Sequence, residues 1–149
     1  ASKLNRGDES SRMENRLIAL YDYAEQRGID VDWFSAVQAS SMPLPLPDGT
    51  CCIAIDPWKM DTLEQETVFL AHELGHCETG SFYNRYAKMD VIKKHENRAN
   101  RWAYKKFVPR DELRKAYCAG YQEPWELAEY LQLPEDFLRG AIEYYKICG

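Results

Sequence analysis

Long apolar runs are missing from this chain. No stretch approaches the roughly 18 to 20 residues that cross a bilayer as a helix, and the polar start Ala1-Ser2-Lys3-Leu4-Asn5-Arg6-Gly7-Asp8-Glu9 has no signal-peptide core. A soluble, cytoplasmic protein is expected. Positive charge is also in deficit: Lys and Arg number 19 against 24 Asp and Glu, a net charge of −5. With no long basic run to hold a phosphate backbone, nucleic acid is a poor partner. No Cys-x-x-Cys occurs. Cys51, Cys52, Cys77, Cys118 and Cys148 are odd in number, so neither a disulfide framework nor a thiolate zinc knuckle is signalled, and free thiols in a reducing compartment are expected. Punctuating residues are few, with 8 glycines and 7 prolines in 149 residues, and no internal repeat or low-complexity tract appears. One domain fits this length.

What is present is mostly helical periodicity. Met13, Leu17, Leu20, Tyr21 and Ala24 recur at spacings of three and four and predict a helix over 10–26, stopped at Arg27-Gly28. Residues 29–34 and the proline-broken stretch 40–49, which ends in the turn signal Asp48-Gly49, can hold only edge-type strands. Cys51-Cys52-Ile53-Ala54-Ile55 reads as a strand with which an extended partner chain could pair. Asp61, with Glu64 at capping-box spacing, opens a helix that runs to Cys77 or Glu78 and stops at Thr79-Gly80. That helix is apolar nearly all round and should lie inside the domain. A second buried helix is predicted over 90–107, ended by Val108-Pro109, followed by helices over 110–119, 124–131 and 134–147.

The inner helix carries His72-Glu73-Leu74-Gly75-His76, two of the chain's three histidines. Histidines four apart lie one turn apart on one face, so both imidazoles can reach a single ion while Glu73 points beside it. In this composition the pattern arises by chance on the order of half a per cent of the time. A hydrolytic zinc site wants three protein ligands and an open position for a water, whose proton a neighbouring carboxylate can take. The third ligand must come from the next helix. Ile92, Glu96, Ala99, Ala103 and Phe107 share one sector of that helix, which puts the Glu96 carboxylate on an apolar face, a costly place unless a cation meets it. His95, outside the sector, is the alternative ligand. Asn100, one turn beyond Glu96, is placed to orient an imidazole or the carboxylate. Gly75 allows close backbone approach, and Cys77, about 100 degrees around the helix from His76, is left as a core thiol.

His72-Glu73-Leu74-Gly75-His76, followed by Glu96-x-x-Ala99-Asn100-x-Trp102-Ala103 and Phe107-Val108-Pro109, resembles the ImmA/IrrE family of zinc metallopeptidases. The resemblance implies one zinc per chain on His72, His76 and Glu96, with Glu73 as general base. It implies a single α+β, mainly helical zincin-like domain over 1–149, with a catalytic core over 10–109, a small β-sheet and a C-terminal helical hairpin within 110–149. It also implies an anti-repressor of phage or mobile-element type that cleaves a helix-turn-helix transcriptional repressor. The oxyanion-stabilising group is not fixed by these motifs: Tyr83, Tyr86 and Arg85 are the candidates. Ile53 and Ala54 are the expected backbone-pairing positions for substrate, and Tyr83 and Tyr86 are expected to touch it.

Two other readings compete. Residues 125–138 have helix-turn-helix rhythm, but the second helix would open with Glu135 and Asp136, which repel phosphate. A metal-stabilised binding protein that grips its partner without cutting it is the other, and the presence of Glu73 argues against that, because a structural site needs no general base.

Overall fold

The computed structural model describes residues 6–33, 41–83 and 86–147. In chain order the elements are α1 (Arg6–Gln26), β1 (Asp30–Trp33), β2 (Ser41–Pro45), β3 (Cys51–Ile55), a 3-10 turn (Pro57–Lys59), α2 (Leu63–Thr79), α3 (Met89–Phe107), α4 (Arg110–Cys118), α5 (Pro124–Leu131) and α6 (Glu135–Ile147). This is the mainly helical α+β class expected. Leu17, Leu20 and Ala24 of α1, Ile53 and Ile55 of β3, and Leu70, Ala71 and Leu74 of α2 share one apolar core with Leu113, Leu127, Leu131, Leu138 and Ala141 of the last three helices. The chain-end helices therefore close the same core that carries the His-Glu-x-x-His helix.

The sheet corrects one expectation. Its strand order is β1-β3-β2, with β1 parallel to β3 in the register Val31↔Ile53 and β2 antiparallel in the register Pro43↔Ile53. Thus β3 is the central strand. Both of its backbone edges are taken, Ile53 is wholly buried and Ala54 nearly so, and no third chain can pair there. The continuous apolar run of β3 is what a strand enclosed on both faces requires, whereas Pro43 and Pro45, without N–H groups, sit on an edge strand where this costs least.

Helix α2 starts one residue later than Asp61 capping predicts. Thr62 is the cap, its hydroxyl accepting from the Gln65 backbone N–H at 3.1 Å, while Gln65 Oε1 accepts from the Asp61 N–H at 2.9 Å. Gln65 thus reaches past the cap to the residue before it, so the two bonds do not close a reciprocal box. At the other end Gly80 takes the left-handed conformation, φ 63°, which turns the chain back toward the helix. Helix α1 braces α2 along its length: Tyr21 donates to Glu66 Oε1 and Tyr23 to Glu78 Oε2, both at 3.0 Å. Helix α3 is amphipathic rather than buried throughout. Ala99, Ala103 and Phe107 are buried, and Lys94, Arg98, Arg101 and Lys105 line its solvent side.

The cysteines give a second correction. Cys51 of β3 and Cys77 of α2 form a disulfide, their Cα atoms 5.7 Å apart, while Cys52 and Cys118 are free; Cys148 lies outside the described residues. Pairing depends on β3 packing against the last turns of α2, which a count of cysteines does not contain. The bridge closes a loop of 26 residues, for which chain entropy gives a stabilisation of about 3 to 4 kcal/mol. Urea unfolding should show a loss of that order on adding a dithiol reductant. Replacing both Cys51 and Cys77 by Ala should give the same loss and abolish the reductant's effect; equal midpoints with and without reductant in the wild type would contradict it.

The α5–α6 turn holds a strained residue. Gln132 adopts φ 57°, ψ 50° at the C-terminus of α5, a left-handed conformation that costs a side-chain-bearing residue roughly 1 kcal/mol. Gln132→Gly is expected to raise stability by about 0.5 to 1 kcal/mol, read as a higher urea midpoint with unchanged slope.

Candidate metal centre

Two helices assemble the site because nothing separates them at their crossing. A Cβ on Gly75 of α2 would overlap the backbone carbonyl oxygen of Ala99 on α3 and stand 3.0 Å from its carbonyl carbon, so only glycine lets the helices lie this close. Glu96 sits one turn before Ala99 and His72 and His76 flank Gly75. The crossing thus sets the three side chains facing one another.

Their atoms converge. Glu96 Oε2 lies 2.7 Å from His72 Nε2 and Oε1 lies 3.2 Å from His76 Nε2, and the two Nε2 atoms are 3.2 Å apart. Each ring is fixed from behind. His72 Nδ1 meets Asn100 Oδ1 at 2.7 Å and His76 Nδ1 meets the Ser81 carbonyl at 2.5 Å. A backbone carbonyl only accepts, so His76 carries its proton on Nδ1, and His72 does the same where Asn100 presents its oxygen. In the neutral rings the Nε2 lone pairs then point at each other and at a carboxylate. That arrangement repels itself unless a cation lies among the three groups.

A proton on Nε2 relieves the same repulsion. Hydrogen bonds from His72 first and His76 second hold the Glu96 carboxyl well below the usual carboxylate range. Burial works against a charged His72, yet the Glu96 hydrogen bond and the charges of Glu73 and Glu96 raise its pKa overall. Tyr83 donates to Glu96 Oε1 at 2.6 Å, and this bond, reinforced by burial, pushes the phenol up to about 12. Two imidazole nitrogens and a carboxylate oxygen, with their ligand atoms within 4.8 Å of one another, are a donor set suited to a divalent ion. Among the described residues this is the cluster of ligating side chains, and His95, the alternative ligand, is outside it.

The remaining expected residues fall in different places. Glu73 is buried beside His72. Asn100 reaches His72 rather than Glu96. Tyr83 is partly exposed at the site and Tyr86 is largely solvent-exposed, while Arg85 lies outside the described residues. Ile53 and Ala54 are inside the core. The Ser81 carbonyl was not foreseen, and the signal for it was Thr79-Gly80: a left-handed cap folds the next carbonyl back on the last turn.

Compared with known families, the chain matches the profile of the M78 peptidases, described as an IrrE N-terminal-like domain, over residues 24–143. It belongs to this family. The ImmA/IrrE resemblance seen in the sequence is thereby confirmed, and membership makes the protein a metallopeptidase in kind with a protein substrate. The match begins within α1 and ends within α6, so the helices after Phe107 belong to the family domain. No curated protein matches the chain. No helix among the described residues is long and apolar enough to cross a membrane.

Proposed function

We propose that the protein is a zinc-dependent endopeptidase, a single catalytic unit with residues 110–149 as a helical extension, whose substrate is a helix-turn-helix repressor of a phage or mobile element. The observation that carries the reading is the convergence of His72 Nε2, His76 Nε2 and the Glu96 carboxylate behind a buried Glu73. His72, His76 and Glu96 would hold the ion, three protein ligands being the number usual for a hydrolytic rather than a closed structural site. A zinc ion so bound acidifies water and polarises a carbonyl oxygen.

The chain's own residues do the rest. Asn100 and the Ser81 carbonyl fix the tautomer and tilt of the two rings and raise their basicity. Glu73, next to His72 on α2, accepts the proton of the attacking water and returns it to the leaving amine, as a general base and then acid. With β3 enclosed, an extended substrate has the outer edge of β2, which packs on α2; Pro43 and Pro45 offer it carbonyls but no N–H. Tyr83 and Tyr86, after α2, flank the approach.

The test is metal content followed by cleavage. Purified protein is expected to carry about one zinc per chain, lost in Glu96→Ala. The zinc-loaded protein should cut the repressor encoded beside it. Zinc retained in full by Glu96→Ala refutes the centre. Tight repressor binding without cleavage by wild type would convert the reading to an anti-repressor that acts by binding alone.

A further inference from the structure

The segment after α2 is tied down residue by residue. The Ser81 N–H donates to the His76 carbonyl at 3.1 Å, its side chain accepts from Thr79 at 2.9 Å, and its carbonyl takes the His76 ring. Ser81 is wholly buried. Two residues later, the Tyr83 ring stands edge-on to His76, centroids 6.2 Å apart at 65°, and stacks on His95, 6.2 Å apart at 27°. Its hydroxyl is thereby delivered to Glu96 Oε1, the same oxygen that faces His76 Nε2.

A carboxylate on a helix can rotate about its last bonds, and both of its oxygens compete for any cation nearby. A donor fixed on one oxygen removes that freedom. From this geometry we infer that Tyr83 is a positioning residue for the metal centre: its hydroxyl holds the Glu96 carboxylate facing the two Nε2 atoms, and His95 is the platform that holds the phenol. His95 Nδ1 is buried with no hydrogen-bond partner among the described residues, as expected of a ring used through its face. The inference rests on the metal-centre reading above and goes further. It assigns Tyr83 to a ligand of the ion, where the sequence suggested contact with substrate.

Zinc affinity measured by competition with a chromogenic chelator tests it without reference to activity. Tyr83→Phe keeps both ring contacts and loses the hydroxyl; it should bind zinc about 10- to 100-fold more weakly than wild type, with the circular dichroism and melting of the metal-free protein unchanged. His95→Ala should weaken binding in the same direction, and His95→Phe, which preserves the stack, should restore it. Wild-type zinc affinity in Tyr83→Phe overturns the inference, and if cleavage is then lost, the hydroxyl serves the substrate. Absence of zinc from the wild type, or undiminished binding by Glu96→Gln, overturns the metal centre itself and this inference with it. Loss of zinc in Glu96→Gln but not in Tyr83→Phe overturns only the role of the tyrosine.

Discussion

Glu73→Gln should leave zinc binding intact and lower the rate of peptide cleavage by about a thousandfold or more. Glutamine has nearly the same shape, and Glu73 is not among the three side chains whose ligand atoms converge, so metal content is expected to stay near one per chain. What disappears is the carboxylate that takes a proton from water and passes it to the amine. General acid–base groups contribute on the order of 10² to 10⁴ in rate, and Glu73 would act in both directions, which places the loss toward the upper end. A thousandfold corresponds to about 4 kcal/mol of transition-state stabilisation. Single-turnover cleavage of the repressor with zinc content determined on the same sample makes the comparison. A variant that is fully loaded and cuts at the wild-type rate removes Glu73 from the mechanism. A variant that loses both zinc and cleavage assigns Glu73 to holding the site together.

Gly75→Ala is the second large effect, and its sign runs against helix propensity. In an isolated helix the change would stabilise by roughly 1 kcal/mol. Here the new methyl meets the Ala99 carbonyl, which is backbone in the middle of α3 and cannot turn aside as a side chain would. Helix α3 must move outward, at a cost of about 1 to 3 kcal/mol for overpacking. Glu96 is carried with it, one turn away from the point of overlap. Since metal ligands must be held within a few tenths of an ångström of their bonding distances, zinc affinity should fall at least a hundredfold, about 2.7 kcal/mol. Chelator competition and urea unfolding of the metal-free form report the two effects separately. An alanine variant as stable as wild type and with full zinc affinity would show that the helices do not rely on this contact.

The sequence already contained the elements and the inward faces. The 3.6-residue period that put Leu70, Ala71 and Leu74 inside also put His72 and His76 one turn apart. The same period on the next helix set Glu96 with Ala99 and Ala103 and left His95 to one side, and the structure brings together the same residues. Helix ends followed local chemistry: Gly80 after α2, Pro109 after α3 and Pro134 before α6 required no tertiary partner to be read. Even the one-residue shift at Thr62 is local, because Asp61 and Thr62 are both good caps.

Where the sequence alone failed, the missing quantity was a neighbour. The run from Cys51 to Ile55 says that a strand is apolar, but its place between β1 and β2 follows from which backbones reach it, and no local pattern records that. Cys51 and Cys77 become a bridge only because β3 lies against α2. The Ser81 carbonyl and the Tyr83 hydroxyl reach the site through a turn whose direction depends on the packing beneath it. Periodicity along a chain fixes which side of an element faces inward, since it arises from bonds between near residues. Only the closing of α2 on α3 over a missing side chain at Gly75 determines what that side meets, because the separation of two helices is set by the volume between them.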